Sequence, residues 1–303
     1  MTRFLIGFLL LSAIGVLVWQ IVHRTSPLVR QWHPSSFKRR ALGPLSVLDG
    51  GPPAVISGST VILLHGLGVT SDYFGGAYDG LARRHRVLIP DLLGFGGSLD
   101  EARTDFGLEA HCRALGQALD AADVSESRIV VVAHSMSASL ALEFARVHGD
   151  HVVRVILLAP PVYRTEYAAR SAAEHFRGFG RLLLLDQKWS RRLCRWNCAH
   201  RRLSGLLTAA LAPRWPTAVS TNGFHHAWDA YHGSVNALAL GVDWPSLFAV
   251  NSDVTVVRGA FDDFGDVVYV SELVPSNSRV MIPGADHHVP LSHPEALYEL
   301  LGN

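Results

Sequence analysis

Ser135, Asp262 and His287 have the residue types needed for nucleophilic attack on a carbonyl group. A serine hydroxyl becomes a strong nucleophile when a histidine accepts its proton and a carboxylate holds and supports that histidine. Each of the three follows a short apolar run and is therefore predicted to lie in a loop after a strand. The carboxyl ends of parallel strands meet at one edge of an α/β sheet, where ligands bind. We therefore expect the three side chains to converge there.

The pentapeptide Ala133-His134-Ser135-Met136-Ser137 lies between an apolar run and a helical stretch. This is the setting of a nucleophilic serine on a sharp strand-to-helix turn, although a serine at an ordinary helix N-cap gives a similar pattern. The N–H of Met136, at the start of that helix, is predicted to donate to the oxyanion that forms during attack.

A second turn, His65-Gly66-Leu67-Gly68, follows an earlier apolar run. Its Leu67 N–H is predicted to be the other oxyanion donor. Gly66 and His134 are predicted to contact the substrate. Asp263 and His288 are the alternative acid and base if either loop is one residue longer than expected.

The sequence gives little support for a metal site, a cofactor site or nucleic-acid binding. Cys194, Cys198 and His200 resemble a partial zinc set, but their spacing and the missing fourth ligand favour two buried thiols on a helix. No Gly-Lys-Ser/Thr phosphate loop and no His-Glu-x-x-His occur, so neither a cofactor nor a metal is predicted. The formal net charge of +1 gives no overall attraction to nucleic acid.

The apolar runs that precede these motifs lack alternation, which indicates strands covered on both faces by helices. We therefore predict an α/β fold with a mostly parallel, twisted sheet. The predicted strands are Thr60 to His65, Arg86 to Pro90, Arg128 to Ala133, Val152 to Ala159, Val254 to Arg258 and Arg279 to Pro283.

Residues 163–245 interrupt the alternation of strands and helices and are predicted to form a helical lid between the two parts of the core, 42–162 and 246–303. From Tyr163 to Leu240 this interval carries 11 Lys plus Arg and 4 Asp plus Glu. Such a basic lid either lies on anionic lipid or is a solvated face over an ordinary pocket, and the sequence favours neither.

An apolar stretch from Phe4 to Val22 is close to the ~20 residues that a membrane-spanning helix needs. It is longer than the apolar part of a signal peptide, so residues 1–23 are predicted to form an uncleaved single-pass anchor. Residues 24–41 are a basic juxtamembrane linker. Its positive charges predict a catalytic domain on the cytoplasmic side.

Together, these motifs resemble the α/β-hydrolase fold superfamily over about residues 42–301. The stretch Asp91-Leu-Leu-Gly94-Phe-Gly96-Gly97-Ser98 is similar to the loop after the family's fourth strand, and the spacing from His287 to Pro294 matches the family's last loop and helix. The resemblance implies a serine hydrolase with the chain order serine, acid, histidine.

The sequence thus predicts a membrane-anchored enzyme that cleaves carboxylic esters of a lipophilic, small-molecule acyl substrate through an acyl-enzyme. An acyltransferase, amidase, thioesterase or carbon-carbon hydrolase would use the same residues. A non-catalytic binding protein with this fold is the alternative from another class. The sequence does not indicate an oligomeric state.

Overall fold

The computed structural model describes residues 2–52, 59–125, 127–175 and 188–302. Within these residues eight strands form one sheet: β1 (Lys38–Leu42), β2 (Leu45–Asp49), β3 (Thr60–Leu64), β4 (Arg86–Pro90), β5 (Ile129–His134), β6 (Val152–Leu158), β7 (Asp253–Gly259) and β8 (Arg279–Ile282). Their order across the sheet is β1-β2-β4-β3-β5-β6-β7-β8. The β1–β2 and β2–β4 pairs are antiparallel and the others are parallel.

The predicted mostly parallel sheet is confirmed, and its central strands are apolar because both faces are covered. All five residues of β3 are buried. Ile62 and Leu64 belong to the core on one face, whereas Val61 and Leu63 belong to the core on the other. Successive side chains of a strand point to opposite faces, so an uninterrupted apolar run supplies two cores.

The α-helices of the described residues lie before, between and after the strands in the chain, and several of them fill the interval between β6 and β7. They are Thr2–Thr25, Pro27–Gln31, Leu108–Ala121, Ala138–Val147, Glu166–His175, Lys188–Ala199, Arg201–Leu211, Thr217–Asn222, Trp228–Val235, Trp244–Phe248, Val267–Leu273, Val289–Ser292 and Glu295–Leu301, with a π-helical turn at Asn236–Leu240. The predicted lid, residues 163–245, is therefore helical in its described parts, and we call it the helical insertion. Residues 176–187 of this interval lie outside the described residues.

Two buried histidines join the helical insertion to the core. The His111 ring, on the helix Leu108–Ala121, is 3.1 Å from the Ser234 hydroxyl of the insertion. The His226 ring packs 5.8 Å from that of Phe95, and these two residues also form an isolated β-bridge. Burial lowers the pKa of His111 to about 3 and that of His226 to about 4. Both rings are therefore neutral at pH 7.

We expect acid to weaken this attachment. Below the ordinary histidine pKa of about 6.5, the unfolded chain binds protons that the folded chain does not, so the free energy of unfolding falls as the pH drops from 6.5 towards 4. Each histidine contributes up to about 1.4 kcal/mol per pH unit. Urea unfolding at several pH values gives the free energy of unfolding as a function of pH. Its slope against pH should be shallower for His111→Gln than for the wild type, and unchanged for His200→Gln, which replaces an exposed histidine. An unchanged slope for His111→Gln would contradict this assignment.

The hairpin β1–β2 begins inside the segment 24–41 that was predicted as a linker, so the sheet starts at Lys38. Arg39 and Arg40 are exposed strand residues whose guanidinium groups pair with buried carboxylates. The Arg39 guanidinium lies 2.8 Å from Asp91, and that of Arg40 lies 2.8 Å from Asp49. Because the charges of Arg39 and Arg40 compensate buried acids, they no longer count among the basic residues from which the membrane orientation was predicted.

The segment predicted as a membrane anchor lies in the helix Thr2–Thr25. No helix among residues 2–52, 59–125, 127–175 and 188–302 combines the length and apolar character that a membrane span requires. The end of the helix contacts the helical insertion. The His23 Nδ1 lies 2.8 Å from the Pro213 carbonyl oxygen, and the Ser26 hydroxyl donates to the Arg214 carbonyl oxygen at 2.6 Å.

Candidate active site

Ser135 lies on a sharp turn between the buried strand β5 and the helix Ala138–Val147. Its φ of 55° is in the left-handed region, which a non-glycine residue adopts only at a cost of order 1 kcal/mol or more. The turn is held from behind by Ser137, whose hydroxyl lies 3.0 Å from both the Leu64 and His134 carbonyl oxygens. The strained turn therefore presents the Ser135 hydroxyl beyond the end of the sheet.

The structure brings Ser135, His287 and Asp262 into one hydrogen-bonded chain. The Ser135 Oγ lies 2.9 Å from the His287 Nε2, and the His287 Nδ1 lies 3.0 Å from the Asp262 Oδ1. Because the carboxylate only accepts, the His287 Nδ1–H donates to it, which leaves Nε2 free to accept the serine proton. Asp262 follows β7 and His287 follows β8, as the loop positions predicted.

Neighbouring groups fix the positions of both His287 and Asp262. The Phe264 ring stacks on the imidazole of His287, with centroids 4.0 Å apart. The Phe264 N–H also donates to the Asp262 Oδ1 at 2.9 Å, and the Arg258 guanidinium donates to the Asp262 carbonyl oxygen. His287 is 9% exposed and Asp262 is 6% exposed. The charge of Asp262 therefore acts in a site largely shielded from water.

His134 lies behind His287 and supports its backbone. The His134 Nε2–H donates to the His287 carbonyl oxygen at 3.0 Å, and its ring stacks on Tyr73. Burial is the largest cause that lowers the His134 pKa, with a further contribution from His287. His134 also lines the cavity at Ser135, where the sequence predicted a substrate contact.

The alternative residues lie outside the hydrogen-bonded chain. The His288 Nδ1 lies 3.1 Å from the Tyr73 hydroxyl, and Trp215 packs edge-on against the His288 ring. Burial lowers the pKa of His288 to about 4. Asp263 is exposed. The contacts of Phe264, Tyr73 and Trp215 were not predicted, because they arise from loops that meet only in the folded chain.

His65 orients the peptide unit that contains the predicted Leu67 donor. The Leu92 N–H donates to the His65 Nε2 at 3.0 Å, so the proton of the neutral ring is on Nδ1, which donates to the Gly66 carbonyl oxygen at 2.8 Å. Burial lowers the pKa of His65, which keeps the ring neutral. In a trans peptide the C=O and N–H point in opposite directions. Holding the Gly66 oxygen therefore fixes the direction of the Leu67 N–H.

Gly66 lies directly against the nucleophile. A Cβ at this position would lie 2.9 Å from the His134 Nδ1 and 3.1 Å from the Ser135 Cβ. We expect Gly66→Ala to displace the loop and lower kcat about 10² to 10³-fold, which is typical for the loss of one oxyanion donor. Steady-state kinetics would measure this against Gly116→Ala, where a Cβ meets only ordinary contacts. Full activity of Gly66→Ala would contradict the proposed position of the donor.

A cavity of about 430 Å³ opens at Ser135. Its apolar wall includes Leu67, Met136, Tyr163, Trp215, Leu240 and Phe264. The polar residues of the lining are the tyrosines, the histidines and Ser135 itself, and no lysine, arginine, aspartate or glutamate of the described residues lines it. Trp215 and Leu240 come from the helical insertion. The site thus suits a neutral, apolar group.

The cysteines of the predicted partial zinc set are buried thiols. Cys194 and Cys198 lie one helical turn apart on Lys188–Ala199 and are 4% and 5% exposed. Burial raises the pKa of Cys194 to about 11 and that of Cys198 to about 12. Thiols with such a raised pKa are poor metal ligands, because the metal binds the thiolate.

A sequence model of known proteins matches residues 61–300, and its description is the alpha/beta hydrolase family. The chain belongs to the alpha/beta hydrolase family. The match includes the strands β3 to β8, the helical insertion and the loops of Ser135, Asp262 and His287. It does not include the helix Thr2–Thr25 or the hairpin β1–β2.

Several known proteins are similar to this chain over different lengths. An uncharacterised protein of Mycobacterium tuberculosis is 35% identical over 103 residues, 34% of this chain and 29% of that protein. The magnesium-chelatase 30 kDa subunit of Rhodobacter capsulatus is 34% identical over 146 residues, 48% of this chain and 45% of the subunit. The chain thus spans less than half of both relatives. The structure of a membrane phospholipase A has a TM-score of 0.62 at 20% identity, covers 100% of this chain and 97% of its own, and shares the fold.

Proposed function

We propose that this alpha/beta hydrolase is a serine hydrolase that cleaves carboxylic esters with an apolar acyl group. The observation that carries the proposal is the continuous chain of hydrogen bonds from Ser135 through His287 to Asp262, with distances of 2.9 and 3.0 Å. A protein that only binds a ligand has no need of a strained serine whose proton already has an acceptor.

In this mechanism the Ser135 Oγ attacks the ester carbonyl while the His287 Nε2 takes the hydroxyl proton. The Asp262 carboxylate stabilises the imidazolium that forms. The N–H groups of Leu67 and Met136 donate to the carbonyl oxygen as it becomes negatively charged. His287 then gives its proton to the leaving alcohol, and a water molecule activated by the same nitrogen cleaves the acyl-enzyme.

The substrate class follows from the cavity at Ser135. Its wall is apolar and aromatic, and a charged substrate group would be buried there without a counterion, which costs several kcal/mol. We therefore expect neutral acyl groups of medium length to react faster than short ones, and dicarboxylic half-esters to react poorly.

A panel of p-nitrophenyl esters and a fluorophosphonate probe test this function. We expect burst release of p-nitrophenol, with kcat/KM increasing from acetate to octanoate, and covalent labelling by the probe. Assays with the corresponding amides and thioesters test for amidase and thioesterase activity. Product analysis with added alcohol tests for transfer of the acyl group. Absence of both turnover and labelling would contradict the proposal.

We also propose that the helix Thr2–Thr25 attaches the enzyme to a membrane. The support is a group of apolar side chains near its carboxyl end that are each more than half exposed: Ile14, Val16, Leu17, Val18 and Ile21. Exposed apolar surface of this extent is costly in water and is removed when it enters lipid. The cytoplasmic side stays a prediction, which protease treatment of intact cells would test.

Replacing one of these side chains by a charge should weaken attachment. We expect Leu17→Lys to lower partitioning of the full chain onto vesicles of phosphatidylcholine and phosphatidylglycerol about tenfold or more, since burial of a leucine contributes ~1.5 to 3 kcal/mol. Gln20→Lys adds the same charge at an exposed polar position and should change partitioning little. Equal partitioning of the two variants would contradict the proposed attachment.

A further inference from the structure

A second cavity, of about 250 Å³, lies at the β7–β8 edge of the sheet beside the helix Val267–Leu273. Three valines, from β7 and from the helix, form much of its wall: Val256, Val267 and Val270. Val280 of β8 also lies at the lining, although its side chain alternates to the other face of the sheet. Met281, which is 53% exposed, lies at its lining as well. The residues that line it include two arginines, Arg258 and Arg279, and no carboxylate.

The strand register places both arginines on one face of the sheet. Arg279 pairs with Val256, and Met281 pairs with Arg258, so the two arginines are diagonal neighbours on adjacent strands. Residues in this relation lie within reach of each other when their side chains are long. Two guanidinium groups that approach each other repel, and an anion between them relieves that repulsion.

Other arginines on the strands have acidic partners. Arg40 and Arg86 both pair with Asp49, and Arg154 pairs with Asp253. By contrast, among the described residues neither Arg258 nor Arg279 forms an ion pair with a carboxylate. The Arg279 Nε is buried and has no hydrogen-bond partner among these residues.

We propose that this cavity binds a medium-chain carboxylate, with its carboxylate group between Arg258 and Arg279 and its alkyl chain against the valines. Two guanidinium groups can each donate to a carboxylate, which is the stronger class of hydrogen bond. The volume equals that of about eight water molecules at ~30 Å³ each, which suits a chain close to octanoate. An inorganic anion would leave the apolar wall without a partner.

The second cavity shares Arg258 with the loop that holds the active-site acid, Asp262. Arg258 donates to the carbonyl oxygens of Asp262 and Gly265, and a bound carboxylate would share its guanidinium with them. A carboxylic acid is the acyl product of ester cleavage, so the ligand would act on the acid loop as a product. This link to catalysis rests on the proposed function, whereas binding at the second cavity does not.

The methionines allow the two cavities to be observed separately. The chain has three, Met1, Met136 and Met281. Met281 lines the second cavity and Met136 lines the cavity at Ser135. In the full chain labelled with ¹³C-methyl methionine, octanoate should shift the Met281 methyl signal to saturation, whether or not Met136 responds. Octanol and inorganic phosphate should leave the Met281 signal in place.

Variants of Arg279 test the charge pairing. We expect Arg279→Gln to raise the octanoate dissociation constant read from Met281 about tenfold or more, and Arg279→Lys to raise it less. Arg128→Gln, at an exposed arginine before β5, should leave it unchanged. An unmoved Met281 signal, an equal shift with octanol or phosphate, or unaltered binding by both Arg279 variants would each overturn the proposal. A shift of Met136 alone would show binding only at Ser135 and would overturn it too.

Discussion

Replacing Ser135 by alanine is expected to abolish ester cleavage, with kcat lowered about a million-fold and no labelling by a fluorophosphonate probe. Ser135 Oγ is the atom that forms the acyl bond, and it lies 2.9 Å from the His287 Nε2. No other hydroxyl of the described residues forms a hydrogen bond with that nitrogen. The turnover that remains would come from the oxyanion donors and the cavity alone. A rate assay with p-nitrophenyl octanoate, corrected for spontaneous hydrolysis, compares Ser135→Ala with the wild type.

Stability measurements separate the loss of chemistry from loss of fold. Ser135→Ala removes one partly buried hydroxyl, so the free energy of unfolding should change by about 1 kcal/mol or less. Ser135→Gly should be inactive yet more stable than Ser135→Ala, because glycine adopts a φ of 55° without strain. Ser139→Ala is the matched control, since its hydroxyl donates to the Leu238 carbonyl oxygen away from His287. Residual labelling of Ser135→Ala would indicate a different nucleophile.

The part of the fold that sequence patterns predicted is the part built from doubly buried strands. An uninterrupted apolar run such as the one in β5 is stable in a sheet that is covered on both faces. The structure buries all six residues of β5. The predicted strand ends differ from the observed ones by one residue in most cases. The active-site loops follow those strands, so their relative positions were predicted with them.

The β1–β2 hairpin was not predicted, because β1 carries little of the apolar signal. Four of its five residues are exposed, and it begins Lys38-Arg39-Arg40 at the edge of the sheet. Its charges are explained by two buried carboxylates: Asp49 on the paired strand of the hairpin, and Asp91, which is 52 residues from Arg39 in the chain. A local pattern of basic residues after an apolar helix was therefore interpreted as a membrane flank.

Local sequence patterns also did not predict the residues that hold the active-site side chains in position. Phe264 is two residues from Asp262, yet its stacking on His287 depends on how the loops after β7 and β8 meet. Ser137 stands where the family commonly has glycine, and its hydroxyl bonds to Leu64 across the sheet. Residue type and order predicted which side chains form the hydrogen-bonded chain, whereas three-dimensional packing decides which groups hold them in place.

Replacing Asp262 by alanine is expected to lower kcat about 10⁴-fold. The His287 Nδ1–H would lose its acceptor at 3.0 Å, the ring would lose its fixed orientation, and the imidazolium would lose its counter-charge. Asp263→Ala is the matched control, because Asp263 is exposed and adjacent in the same loop. If Asp263→Ala were the inactive variant, the acid would be assigned to the wrong residue. Steady-state kinetics on p-nitrophenyl octanoate measures both.

The asparagine variant separates orientation from charge. The Asp262 Oδ1 accepts from both the Phe264 N–H and the His287 Nδ1–H, whereas the Oδ2 is buried without a partner among the described residues. In Asp262→Asn, the amide oxygen should therefore take the Oδ1 position, since an amide NH₂ there would face two donors. His287 would keep its proton on Nδ1 and its Nε2 would still accept the serine proton. We expect kcat of Asp262→Asn to lie between those of the wild type and Asp262→Ala, and a loss as large as that of the alanine variant would show that the charge of Asp262, rather than the orientation it gives His287, accounts for its effect.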